Sequence, residues 1–190
     1  MTPVSLGPDY FERMYSANAD LWNFACSEYE HTKYDATLAA LGTASFRSAL
    51  EIGCSIGVLT SRLANRCENL LAVDINTRAL RQARARCAAR THVRFARMHV
   101  PREFPETRFD LVVVSEVGYY WDDDDLQQAI DRIASVARGG VVELVHYLPR
   151  VPEYIRDGDS VHAAFLADSR FRCTYGERAE RFRIDVLSVA

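Results

Sequence analysis

Residues 50–64 read LEIGCSIGVLTSRLA: an apolar run, then Gly53, Ser55 and Gly57, then a stretch with helical spacing. A strand that hands over to a helix through small residues is the opening of a doubly wound parallel sheet. Such sheets bind ligands beyond the carboxyl ends of their strands. Small residues there keep the turn tight and let a ligand approach the backbone. Downstream, AVD closes the next strand at Asp74, 17 residues after Gly57. A carboxylate at that point can accept hydrogen bonds from two ribose hydroxyls, and its charge strengthens each bond. The glycine turn and Asp74 together point to a nucleoside ligand.

The rest of the chain supports that sheet. Strands are expected at ALEIG, NLLAVDI, HVRFARM, FDLVVVSEV and GGVVELVHY, and helices at VLTSRLANRC, TRALRQARARCAA and DDLQQAIDRIASVA. Strand–helix alternation with near-continuous Val and Leu at 111–114 describes parallel strands covered on both faces. Ahead of this block, DYFERMYSA and YEHTKYDATLAALG carry helical spacing, joined by a less regular link with an exposed-looking Trp22. The tail reads as a helix at GDSVHAAFLAD and a hairpin of two strands, giving an antiparallel final strand. The whole 1–190 chain is expected to form one domain, with 1–45 as helices and 46–190 as a Rossmann-like core.

Bulk properties narrow the function. The net charge of -3 argues against a nucleic-acid partner. The arginines of 78–90 read as a solvated helix face, and Asp122–Asp125 as an acidic helix start. The five cysteines form no CxxC pair; Cys54, Cys67 and Cys87, in helix or strand contexts, read as buried thiols in a reducing cytoplasm and not as a disulfide framework or zinc site. The polar, proline-broken MTPVSLGPDY is no signal segment, and no apolar run reaches the length of a membrane span, about 18 residues.

GCSIG with Glu51 two residues ahead resembles motif I of the class I S-adenosylmethionine-dependent methyltransferases, E/D-x-G-x-G-x-G, with Ser55 where the middle glycine is commoner. DLWNFACSEYEHTKYDATLAAL, ALEIGCSIGVLTSRLA, FDLVVVSEVGYYW and GDSVHAAF together resemble the nodulation-type N-methyltransferases. The resemblance implies a seven-stranded, mostly parallel sheet with helices on both faces and an N-terminal helical cap over the cofactor. It also implies an amine acceptor on an amino sugar or sugar-like molecule, and a deacetylase acting upstream. S-adenosylmethionine is then the cofactor and S-adenosylhomocysteine the product. Its expected contacts are Glu51, Gly53, Cys54, Ser55 and Gly57 in the turn, Asp74 and Ile75 after the second strand, and Ser115 and Glu116 after the fourth. Where many class I enzymes hold adenine with an Asp, this chain has His99, so backbone groups near Met98–Val100 and a neutral imidazole are expected to do so. In the cap, Trp22, Tyr29 and Lys33 are placed to close over the cofactor, with Lys33 near its carboxylate. No D/N-PPY tetrapeptide follows the fourth strand, which lowers the odds of a DNA base or planar amide as acceptor.

Methyl transfer is largely a matter of positioning, but an ammonium must lose a proton before it attacks. Glu116 and His146 end the fourth and fifth strands, so both can face one cleft. Glu116 can hold the ammonium and its proton, or orient the cofactor. His146 can be the base, or a core histidine satisfied by backbone. Tyr119, Tyr120 and Trp121 offer aromatic faces to a cation or pack in the core. Asp159 and His162, three residues apart, can share one side of an acceptor pocket, and Asp159 can equally cap a helix. The resemblance thus implies a small-molecule methyltransferase, with nitrogen favoured as acceptor. Its rivals are an O-methyltransferase, a non-catalytic nucleoside-binding partner and, more distantly, a nicotinamide oxidoreductase. The oligomeric state is left open.

Overall fold

The computed structural model describes residues 4–18, 20 and 22–190. The polar start and the 18–28 link therefore fall partly outside the described residues. Seven strands form one sheet: β1 (Ala49–Ile52), β2 (Leu70–Asp74), β3 (Val93–Arg97), β4 (Leu111–Ser115), β5 (Val141–Tyr147), β6 (Phe171–Arg178) and β7 (Phe182–Val189). Their order is β3-β2-β1-β4-β5-β7-β6. The first five strands run parallel, and β7 is antiparallel to both β5 and β6. The final strand thus slots between β5 and β6 instead of lying at the edge. Strand order reverses between β1 and β4, which opens a crevice at their carboxyl ends.

The helices are α1 (Pro8–Ala17), α2 (Glu28–Ala40), α3 (Val58–Leu63), α4 (Thr77–Arg86), α5 (Asp123–Val136) and α6 (Gly158–Ala167). Side-chain caps set several of their starts: Asn76 for α4, Asp122 for α5 and Asp157 for α6 each accept a backbone N–H from the first turn. The helix expected over 58–67 stops at Leu63 and tightens into a 3-10 turn at 64–66. That turn brings Cys67 into a parallel bridge with Phe46. Along α4 only Ala79, Leu80 and Ala83 are buried, so the arginines face solvent.

Leu50, Val112, Val114 and Leu144 are fully buried in the main core. Burying each such side chain contributes about 1.5–3 kcal/mol. Of the three cysteines expected to be buried, two are fully so. Cys54 and Cys87 are buried, Cys67 is half-buried, and Cys26 and Cys173 are exposed; all five are unpaired. Trp22 is half-buried, edge-on to Tyr15 at 5.5 Å and stacked on Phe24. Among the described residues no helix is long and apolar enough to cross a membrane.

Candidate active site

The turn after β1 is held by backbone. Gly53 and Cys54 both donate their N–H to the Val73 carbonyl, at 2.9 and 3.1 Å. Gly53 has φ +87°, and a Cβ on it would lie 2.4 Å from the Ser115 carbonyl oxygen and 2.3 Å from a Val117 methyl. Gly57 has φ +79°, and a Cβ there would lie 2.8 Å from Ala83 Cα. Both glycines therefore let elements pack: the turn against the exit of β4, and α3 against α4. Ser55 also sits at positive φ, 47°, and its hydroxyl is 2.6 Å from the Tyr15 hydroxyl. The Ser55 N–H donates to Asp74 Oδ2 at 2.9 Å, and the Asn76 N–H donates to Asp74 Oδ1 at 2.8 Å. Burial pushes the Asp74 carboxyl up to about 6 against the pull of those donors.

A cavity of about 450 Å³ opens over this turn at the carboxyl ends of the strands. Gly53, Ser55, Asp74 and Ile75 line one side of it, and Met98, His99 and Val100 continue that wall. Burial and the Arg102 charge hold His99 below its ordinary range, so its imidazole is neutral. The backbone N–H groups of Met98 and His99 are already committed, to the Asp74 carbonyl at 3.1 Å and to Glu103 Oε2 at 2.7 Å. The His99 ring and Met98 side chain are left to meet a ligand there. Trp22, Tyr29 and Lys33 border the cavity from the N-terminal segment, and Glu116, Tyr119, Tyr120 and Trp121 from the loop after β4.

Glu116 is the hub of that loop. It stands at φ +58°, unusual outside glycine. Its carboxylate accepts from Lys33 Nζ at 2.5 Å, from the Tyr147 N–H at 3.1 Å and from the Tyr119 hydroxyl. Lys33 also donates to Glu30, at 3.1 Å. Burial works against the Lys33 ammonium, but the two carboxylates outweigh it and keep the group charged. Burial, reinforced by Glu116, holds the Tyr119 hydroxyl well above its ordinary range, so it remains a donor.

Seven of the expected contacts lie elsewhere. His146 is fully buried and does not border the cavity. The Gly118 N–H donates to its Nε2 at 3.1 Å, which leaves Nδ1 protonated to donate to His162 Nε2, also at 3.1 Å. His162 Nδ1 in turn donates to Asp185 Oδ2 at 2.8 Å. Burial and the neighbouring His162 hold His146 well below neutrality. His146 is thus a core histidine satisfied from both sides, with no lone pair free to act as base. His162, fully buried in the same chain, is removed from any acceptor pocket. Asp159 pairs at the surface with Arg178 and Arg183, while Asp157 caps α6.

Glu51 lies beneath the turn, 1% exposed, with the Thr60 hydroxyl beside its carboxylate. Burial pushes its carboxyl up to about 7. With Cys54 and Ser115 it lines a separate void of about 20 Å³, large enough for one water. Gly57 borders neither space.

Several cavity residues had not been singled out from the sequence: Phe11 and Tyr15 from α1, Tyr147 at the end of β5, Tyr154, and Arg181 in the β6–β7 turn. Tyr119 and Tyr154 stack with ring centroids 4.5 Å apart. The YLPRVPEYI stretch carried a signal, since loops after parallel strands face the crevice and this one holds two tyrosines.

The family model for nodulation protein S (NodS) matches residues 8–146. Nodulation protein S from Bradyrhizobium diazoefficiens is 33% identical over 119 residues, 62% of this chain and 57% of that protein. The Sinorhizobium fredii protein is 32% identical over 108 residues, 56% of this chain and 50% of that protein. The chain thus spans about half the length of the curated relatives it matches. Among solved structures, N-methyltransferase NodS from Bradyrhizobium japonicum WM9, in complex with S-adenosyl-L-homocysteine, superposes with a TM-score of 0.84 at 23% identity. That match covers 95% of this chain and 97% of the other. A candidate methyltransferase from Pseudomonas syringae superposes with a TM-score of 0.75 at 32% identity, covering 85% of this chain and 99% of the other. The fold is that of these proteins.

Proposed function

The chain belongs to the nodulation protein S (NodS) family, and from that premise we propose that it is an S-adenosylmethionine-dependent methyltransferase. Its acceptor is the amine of a small molecule, an amino sugar or sugar-like compound. The observation that carries this reading is Asp74. Its carboxylate is oriented by the backbone N–H groups of Ser55, Asn76 and Ile75 and keeps further acceptor capacity on the cavity wall. That donor set suits a ribose diol, and a neutral His99 beside Met98 suits an adenine ring. No helix N-terminus with a glycine-rich phosphate cradle is needed, since this nucleoside carries no phosphate.

S-adenosylmethionine supplies an electrophilic methyl group when bound there. Asp74 fixes the sugar, and Tyr15 and Trp22 exclude water from above. Glu116 holds the acceptor's ammonium by charge and takes its proton at Oε1, which has acceptor capacity beyond Lys33. Lys33 and Tyr119 fix the carboxylate in place. Five unpaired thiols suit a reducing cytoplasm, and a preceding deacetylation would expose the amine.

Calorimetry with S-adenosylmethionine and NAD tests the cofactor, with binding of NAD alone counting against this reading. Methyl transfer to glucosamine but not to N-acetylglucosamine is the expected acceptor result. Equal methylation of both would move the reaction to oxygen.

A further inference from the structure

Three arginines lie in or beside the β6–β7 turn. Arg178 and Arg183 are paired with Asp159, and Arg183 also with Asp185. Arg181 is different. Among the described residues no carboxylate pairs with it. Its guanidinium instead lies 4.1 Å from the ring centroid of Tyr29 and 5.6 Å from that of Tyr147, whose hydroxyl takes one of its hydrogen bonds and leaves the rest of the fork free. The Tyr29 hydroxyl donates to its backbone carbonyl at 3.2 Å, so the turn and α2 are tied together at this point. Arg181 is exposed yet borders the cavity, which places its charge at the mouth. Within the cavity the other cation, Lys33, is consumed by Glu30 and Glu116.

A guanidinium clamped by two rings keeps its planar fork of donors pre-oriented, so little side-chain freedom is lost when an anion docks. Tyr147, Tyr154 and Arg181 all lie beyond residue 146, where the match to the family model ends. This wall is therefore the part of the cavity on which the family match is silent.

We infer that Arg181 is an anion-recognition residue, and that the acceptor carries a carboxylate or phosphate besides its reacting amine. This rests on the methyltransferase reading: Glu116 receives the ammonium inside, and Arg181 receives the anion at the mouth. The acceptor is held at both ends, across the stacked tyrosines.

The test measures binding to the S-adenosylhomocysteine-loaded protein by calorimetry. Glucosamine is compared with glucosamine 6-phosphate and with 2-amino-2-deoxyglucuronate, and KM for methyl transfer is read for the same three. At least one anionic form should bind about 2- to 5-fold more tightly than glucosamine, the range of one solvent-screened charge pair at an exposed guanidinium. The tighter of the two names the anion. Arg181→Met keeps the stem against the rings and should collapse that ratio to near one, and Arg181→Glu should invert it. Both variants should retain wild-type affinity for S-adenosylhomocysteine, which reports folding. Equal binding of all three amines by the loaded wild type, or a preference that survives Arg181→Met, overturns the inference and leaves the methyltransferase reading intact. Failure of the wild type to bind S-adenosylhomocysteine overturns both.

Discussion

The two sides of the cavity are built from different materials. On the β1–β3 side the ligand-facing groups are held by main chain: two N–H groups on the Val73 carbonyl, and two more on Asp74. On the β4–β7 side they are held mostly by other side chains, with Tyr119 on Glu116, Tyr154 on Tyr119 and Arg181 on Tyr29. The first side lies within the family match, and much of the second lies beyond it. A backbone-held wall changes only if the fold changes. A wall of side chains can be rewritten one residue at a time, which is how one scaffold serves many acceptors.

That contrast is sharpest at Gly53. Gly53→Ala places a methyl against the Ser115 carbonyl at a left-handed φ, where nothing flexible can yield. A loss of about 3–5 kcal/mol is expected in denaturant unfolding. A loss under about 1 kcal/mol would show that this side is as plastic as the other.

The next effect is a pH dependence. The Glu51 carboxyl titrates at about 7 in the fold against an ordinary 4.5, so between those values the native state keeps a proton that the unfolded chain has released. Its contribution to stability is present in full below pH 4.5 and is lost as pH rises through 7. Wild type should therefore lose up to about 3 kcal/mol relative to Glu51→Gln between pH 4.5 and 8, read from unfolding midpoints. Parallel pH profiles would mean that Glu51 is solvated.

On the other side, the Gly118–His146–His162–Asp185 chain anchors the loop bearing Tyr119 from behind. His162→Ala should lower kcat roughly tenfold, about 1.4 kcal/mol, and leave S-adenosylhomocysteine affinity unchanged. A drop in cofactor affinity equal to the drop in kcat would merge the two sides. The smallest effect belongs to Asp159→Asn. Its surface pairs with Arg178 and Arg183 are screened by solvent, so the unfolding midpoint should barely move and cofactor binding by calorimetry should stay at the wild-type value.

The same division explains what was legible. The β1 turn, Asp74 and the alternation of strand and helix follow from period and small residues, which dictate backbone. Side-chain direction does not follow so readily, because one residue along a strand changes the face. His146 and Tyr147 are neighbours at the end of β5, yet Tyr147 borders the cavity and His146 enters the core. Glu51 and Ile52 divide the same way, with Ile52 on the cavity and Glu51 beneath it. Arg181 was illegible for another reason. Its place depends on β7 returning between β5 and β6, which brings a turn 34 residues downstream beside Tyr147.

The central claim is that Asp74 grips a ribose. Titrating S-adenosylhomocysteine into the wild type and Asp74→Asn tests it most directly, since Asn keeps the size, removes the charge and turns one of the two acceptor oxygens into a donor. Affinity in the variant is expected to be weaker by about 30-fold or more, the size expected for two weakened charge-assisted bonds. Wild-type affinity is also expected to fall as pH drops through about 6. Equal affinity in the two proteins, flat with pH, would contradict the claim.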